Sequence, residues 1–152
     1  MDSLQCHVRD AMPIQGEWVR NSRNYDRAMC EHLAFLQYST SRYHDCMFMD
    51  IPVELKKGKT GSMFFNLLTY ADMRLNPRTE SITMYSKYND DIINEVLLIK
   101  TSKLVKHIIK NDTIARVLLF AASLLPVEYR PMFQCTISYS ALRDISEYVI
   151  KG

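Results

Sequence analysis

The chain has 152 residues, enough for one domain whose core needs neither disulfides nor metal to hold it. Nineteen Lys plus Arg against seventeen Asp plus Glu leave a net charge of +2, which excludes a polybasic protein held to its partner by bulk charge. Hydrophobic residues at 47% run through the whole chain and exclude long disorder, and only four glycines disfavour loops that cradle phosphates.

Residues 3–12 are expected as a short helix stopped by Pro13. Residues 13–23 read as a connector holding the single tryptophan, Trp18, so that 1–23 form an N-terminal segment ahead of one domain over 24–152. Asn24 is a suitable N-cap for a helix over 24–39, with Tyr25, Ala28, Met29, Leu33 and Leu36 on one face. Residues 46–55 alternate as one strand: Met47, Met49, Ile51, Val53 and Leu55 face one way, and Phe48, Asp50 and Glu54 the other. Pro52 makes that strand an edge strand. A lysine-rich turn over 56–61 follows.

Residues 62–75 fit a helix face or a strand face, and the flanking sequence favours strand. Asn76-Pro77-Arg78-Thr79 suits a type I turn that lets residues 80–87 pair back. Asn89-Asp90-Asp91 starts a helical stretch to about Lys110, with a break near Thr101-Ser102. Asn111-Asp112 then caps an apolar helix over 113–125, read as a buried core helix and ended by Pro126. Residues 132–139 alternate as a strand with Phe133, Cys135, Ile137 and Tyr139 on one face. An amphipathic helix over 141–150 closes the chain, with Leu142, Ile145 and Val149 inward. The fold class is α+β: a small antiparallel sheet packed against several helices in a single domain.

The first residues lack the basic region and apolar stretch of a signal peptide, and Asp2 stands where myristoylation needs glycine. No apolar run reaches the roughly 18 residues that span a bilayer. A cytoplasmic location is expected, and with it four reduced thiols at Cys6, Cys30, Cys46 and Cys135.

Candidate chemistry is sparse. Gly58-Lys59-Thr60 resembles the end of a phosphate-binding loop, but Val53 occupies the position of its first glycine. Cys30-Glu31-His32 and His44-Asp45-Cys46 would together offer four metal ligands. On a helix, though, Cys30 and His32 point about 200° apart. No nucleophile signature surrounds any Ser or Cys, and Asp90-Asp91 suits a helix start better than acid–base work. No enzyme, cofactor or metal is expected.

The basic residues are more informative. Lys100, Lys103, Lys106, His107 and Lys110 cluster on about a third of a helix circumference, opposite Leu104, Val105, Ile108 and Ile109. No acid falls between Glu95 and Asp112. With Lys56, Lys57 and Lys59 this makes two basic patches on a nearly neutral molecule. They suit phosphate-bearing partners, an RNA backbone or anionic lipid headgroups, or else form a solvated face.

Met63-Phe64-Phe65-Asn66-Leu67-Leu68 in a strand, helices over 91–109 and 114–125 and a strand over 133–139 together carry a resemblance. In that order they resemble the core of rhabdovirus matrix proteins, nearest in size to those of plant-infecting members. The resemblance covers residues 60–140 and rests on element order. It implies a non-enzymatic viral structural protein that binds nucleocapsid RNA or the anionic inner leaflet of a membrane and self-associates. The location would then be host cytoplasm or virion interior, with peripheral membrane association. Neither a Pro-Pro-x-Tyr nor a Pro-Thr-Ala-Pro motif is present, and the N-terminus is not a lysine-rich arm. The alternative is a small intracellular adaptor or host-factor antagonist that uses an apolar groove.

Overall fold

The computed structural model describes residues 2–12, 25–39, 44–58, 62–66, 81–89, 92–113, 116–117, 120–121, 124–126 and 134–152. The connector with Trp18, Lys59, the Asn76-Pro77-Arg78-Thr79 turn and Asp90-Asp91 lie outside them. Helix α1 (Asp2–Ala11) forms where expected and buries Leu4 and Val8, which lie one turn apart. Helix α2 (Tyr25–His32) is shorter than the 24–39 pattern implies. The chain turns after it, with the Leu36 N–H donating to the Leu33 carbonyl at 2.8 Å, and enters β1 (Gln37–Tyr38). Leu33 and Leu36 are both buried, so the helical spacing of apolar residues continues through a tight turn.

The expected single strand over 46–55 is a hairpin of β2 (Cys46–Phe48) and β3 (Ile51–Gly58). Met49 sits at its turn with φ 53°, and the turn flips the side-chain parity. Cys46 and Phe48 therefore share the core with Val53 and Leu55, while Met49 is exposed. Lys56 and Lys57 belong to β3 and not to a turn. Next come β4 (Ser62–Asn66), β5 (Ile82–Asn89) and β6 (Ile92–Lys100), followed by α3 (Thr101–Asn111). The chain ends with β7 (Gln134–Ser138), α4 (Tyr139–Ile145) and β8 (Tyr148–Lys151).

The protein is α+β, but its main sheet is larger than expected and mixed. Six strands run in the order β1-β2-β3-β5-β6-β8, with β3 and β5 parallel and the other neighbours antiparallel. β3 is thus an interior strand despite Pro52. The proline faces Met47 of β2 and lies one residue before the β5 ladder starts at Val53–Ile82, so its missing N–H interrupts no parallel pairing. β4 does not pair with β5. It forms a separate two-stranded ribbon with β7.

The helix expected from residue 91 to 110 divides at the anticipated break, but its first half is β6. The run Val96-Leu97-Leu98-Ile99 is buried on both faces of the sheet, and such strands lose the polar alternation by which strands are recognised. The last expected helix divides likewise. Its first part is α4, capped by Ser138 Oγ accepting from the Ala141 N–H at 3.3 Å, and its second part is β8 on β6.

Alternation assigns the two faces. Val53, Leu55, Met84, Val96, Leu98 and Ile150 meet Leu4, Val8, Met29 and Leu33 of α1, α2 and the turn after it. On the opposite face Tyr85, Leu97 and Ile99 meet Leu104, Val105 and Ile108 of α3, Ile137 of β7 and Leu142 of α4. Burying each such Leu or Ile contributes about 1.5–3 kcal/mol, so both layers are needed to hold the central strands.

The expectation of four reduced thiols fails at two of them. Cys30 at the end of α2 and Cys46 at the start of β2 form a disulfide, their Cα atoms 6.6 Å apart. The β1–β2 hairpin folds the chain back onto α2 and brings the two together. No helix among the described residues is long and apolar enough to cross a membrane.

Candidate functional site

Helix α3 begins where β6 leaves the sheet. The Thr101 N–H donates to the Ser81 carbonyl at 3.0 Å, and the Thr101 hydroxyl meets that of buried Thr83 at 2.9 Å. This anchor sets the helix rotation. Thr101, Leu104, Val105 and Ile108 go inward, and Lys103, Lys106 and Lys110 are left exposed, with His107 half-exposed beside them. Lys103 pairs with Glu147 at 3.2 Å, and Lys100 is half-buried at the N-cap.

α3 gives way at Asp112, whose backbone is extended, and helical backbone resumes at residues 113, 116, 117, 120 and 121. The Arg116 N–H donates to the Asp112 carbonyl at 3.1 Å, and its guanidinium Nη2 turns back to the Ile109 carbonyl at 3.0 Å. Among the described residues of this segment, the burial expected of a core helix is not found. Val117 is 61% exposed, Phe120 56% and Leu124 69%. Val117 and Phe120 lie three residues apart on helical backbone and Leu124 follows in the turn after Ala121, which makes a short exposed apolar stripe along the chain. Leu125 is exposed beside it. The bases Lys106, Lys110 and Arg116 lead directly into this stripe along the chain.

The second lysine group is placed differently. Lys56 pairs with Glu54 at 3.4 Å, and both side chains are largely buried. Lys57 follows Val53 and Leu55 in alternation, so it points to the α1–α2 face of the sheet, opposite the α3 lysines. By the same alternation Lys56 falls on the other face with its partner Glu54, so Lys56 and Lys57 do not form one patch. Around Lys56 and Lys57 gather Asp26 of α2, Asp45 before β2 and Glu54 of β3. The Asp45 carboxylate accepts the Leu55 N–H at 2.8 Å, which satisfies the edge of β3 past the end of β2. Burial, then the Asp45 carboxylate and a hydrogen bond to it, push the Asp26 carboxyl up to about 7, against the pull of Lys56 and Lys57. Burial and Asp45 push Glu54 up to about 8. Burial lowers the Lys57 ammonium, with Asp26 opposing.

A third polar group fastens α4. Buried Glu95 of β6 accepts from the Tyr139 hydroxyl and lies 3.8 Å from Arg143 Nε. Lys87 stands 4.4 Å above the Tyr139 ring. These contacts tie β5, β6 and α4 together. Among the described residues, no group of three or more His, Cys, Asp or Glu is placed to hold a metal ion. Of the four ligands weighed from the sequence, Cys30 and Cys46 bond to each other. His44 Nε2 lies 3.0 Å from the Ser39 hydroxyl, and His32 is exposed.

Sequence reasoning located the α3 lysines, because a helix of known phase fixes its outer face. It missed the exposure of Val117, Phe120 and Leu124, since an apolar helix reads the same whichever surface covers it. It also missed the Asp26–Asp45–Glu54 group, whose members are distant in sequence and carry no motif. No protein family matches the chain, and neither a curated protein nor a solved structure shows significant similarity to it.

Proposed function

We propose that the protein is a non-enzymatic, matrix-like structural protein of viral type that docks on an anionic membrane surface and self-associates. The observation that carries this reading is the exposed stripe Val117, Phe120 and Leu124 following the bases Lys106, Lys110 and Arg116. An anionic bilayer accepts both chemistries at once: phosphate and carboxylate headgroups meet the bases, and the apolar side chains enter the acyl boundary. Three bases near such a surface contribute about 3 kcal/mol, and each buried Phe or Leu about 1.5–3 kcal/mol. An RNA backbone rewards only the bases, so the lipid surface is favoured over nucleocapsid RNA as the partner of this face. The location that follows is cytoplasmic and peripheral to the membrane.

The second reading, a protein-binding adaptor or antagonist, draws on a different place. A shallow groove of about 240 Å³ is lined by Cys30, Glu31, Ala34, Leu36 and Tyr38, where a short apolar segment would fit.

Flotation with vesicles of phosphatidylserine and phosphatidylcholine, run beside binding to single-stranded RNA at low salt, tests the proposal. The expected result is flotation with the anionic vesicles, little with phosphatidylcholine alone, and weak RNA binding. Binding to RNA but not to anionic vesicles would turn the assignment to nucleocapsid. Binding to neither would remove the matrix-like reading.

A further inference from the structure

Two short elements hold the outer edge of the main sheet. β1 has two residues and β2 three, and α2 reaches the sheet beside them. Ordinary ladder pairing over so few residues gives little resistance to local opening. The Cys30–Cys46 disulfide bridges this part of the molecule, joining the last turn of α2 to the first residue of β2 across a separation of 16 residues. Everything between the two cysteines, β1 included, lies inside the closed loop. By contrast β5 and β6 pair from Ile82–Lys100 to Asn89–Ile92 and need no covalent aid.

We infer that Cys30–Cys46 is a reducible clasp that fixes α2 and the β1–β2 edge to the sheet, and that its reduction opens this edge locally while β5, β6 and α3 stay folded. Both cysteines are buried, Cys30 at 2% exposure and Cys46 at 0%, but of the two it is Cys30 that lines the groove with Glu31, Ala34, Leu36 and Tyr38, so a small opening of that groove presents Cys30 first. The co-reactant is a dithiol reductant. Its thiolate attacks Cys30 Sγ, the Cys30–Cys46 bond breaks, and Cys46 leaves as a thiolate that takes a proton. The reductant's second thiol then displaces Cys30 from the mixed disulfide. Two electrons and two protons pass to the protein, and the reductant ends as a cyclic disulfide. A disulfide oxidant closes the clasp by the reverse exchange. The edge thereby reports whether the protein stands in a reducing or an oxidising compartment.

The test uses the full chain. Protein oxidised with glutathione disulfide is alkylated, digested and mapped, and amide hydrogen exchange is followed before and after treatment with dithiothreitol. The expected results are a linked peptide pair containing Cys30 and Cys46 and, on reduction, exchange in 25–39 and 44–48 faster by about a hundredfold. That factor is the order of effect of opening a loop of this length. Exchange in 92–111 should not change. Cys30→Ser and Cys46→Ser should each reproduce the reduced pattern, and the dithiothreitol arm gives the same answer where a variant folds poorly. Full alkylation of both thiols after oxidation, or unchanged exchange at 25–48, would overturn the clasp. So would equal acceleration in 92–111, which would mark the bond as a staple for the whole fold.

Discussion

Gly58 of β3 lies directly beneath the hydroxyl of Tyr85 in β5, and a side-chain carbon at position 58 would collide with that oxygen. Tyr85 is fully buried, and its hydroxyl has no hydrogen-bond partner among the described residues. The ring shares its core cluster with Leu97 and Ile99 and faces Tyr139, whose centroid lies 5.9 Å away, so moving the hydroxyl aside disturbs a packed layer. Gly58→Ala should therefore destabilise the protein by about 1–3 kcal/mol in urea unfolding. Tyr85→Phe should be neutral or stabilising by about 1 kcal/mol, since it removes an unpaired buried polar group. The double variant should recover part of the loss from Gly58→Ala. Equal loss in both backgrounds would show that the hydroxyl is not what Gly58 accommodates.

The carboxyls around Asp45 set a pH dependence. Asp26 and Glu54 have folded-state values raised to about 7 and about 8 from ordinary values of 3.8 and 4.5. Between those limits the folded chain holds protons that the unfolded chain releases, so stability falls as pH rises. Their favourable contribution is complete below about pH 4 and lost above about pH 8. Thermal unfolding should accordingly show a higher Tm at pH 6 than at pH 8. Asp26→Asn, which keeps a donor for the Asp45 carboxylate without the charge, should flatten that slope and raise the Tm at pH 8. A slope unchanged by Asp26→Asn would place the proton elsewhere.

Lys103 and Glu147 form an exposed pair, and such pairs contribute about 0.2–1 kcal/mol. Lys103→Ala should leave unfolding nearly unchanged and reduce binding to anionic vesicles only slightly, because Glu147 already neutralises this lysine. Lys106→Glu with Lys110→Glu should weaken vesicle binding by tenfold or more at low salt, with the Tm within a few degrees of the parent. Equal binding by the parent and the Lys106→Glu/Lys110→Glu variant would remove both residues from the docking face.

Legibility in the sequence varied with the reach of the interaction that decides each element. The inner face of α3 was legible because Leu104, Val105 and Ile108 repeat within the helix itself. So was α1, through Leu4 and Val8 ahead of Pro13. β6 was not. Ile92-Ile93-Asn94-Glu95-Val96-Leu97-Leu98-Ile99 places apolar residues at both periods, and only the layers covering both faces decide for strand. The parallel pairing of β3 with β5 leaves no local trace, because parallel neighbours need a long connection. Met49 misled for a geometric reason: a two-residue turn preserves the apparent alternation while exchanging the buried parity. The lysine face of the candidate site was readable from helical phase alone. Its apolar continuation required exposures that only the folded chain supplies.

The central claim is that Phe120 and Leu124 enter a bilayer while Lys106, Lys110 and Arg116 hold its headgroups. Both apolar residues are exposed, so Phe120→Ser with Leu124→Ser should leave the Tm within a few degrees of the parent. The most direct measurement is flotation on phosphatidylserine vesicles across a salt series, comparing the parent with this double variant. The account predicts that high salt weakens but does not abolish binding by the parent, because burial of apolar surface is not screened. The double variant should bind at low salt and be released completely as salt rises. Identical salt profiles for the two proteins would contradict the account, because the exposed stripe would then contribute nothing to docking.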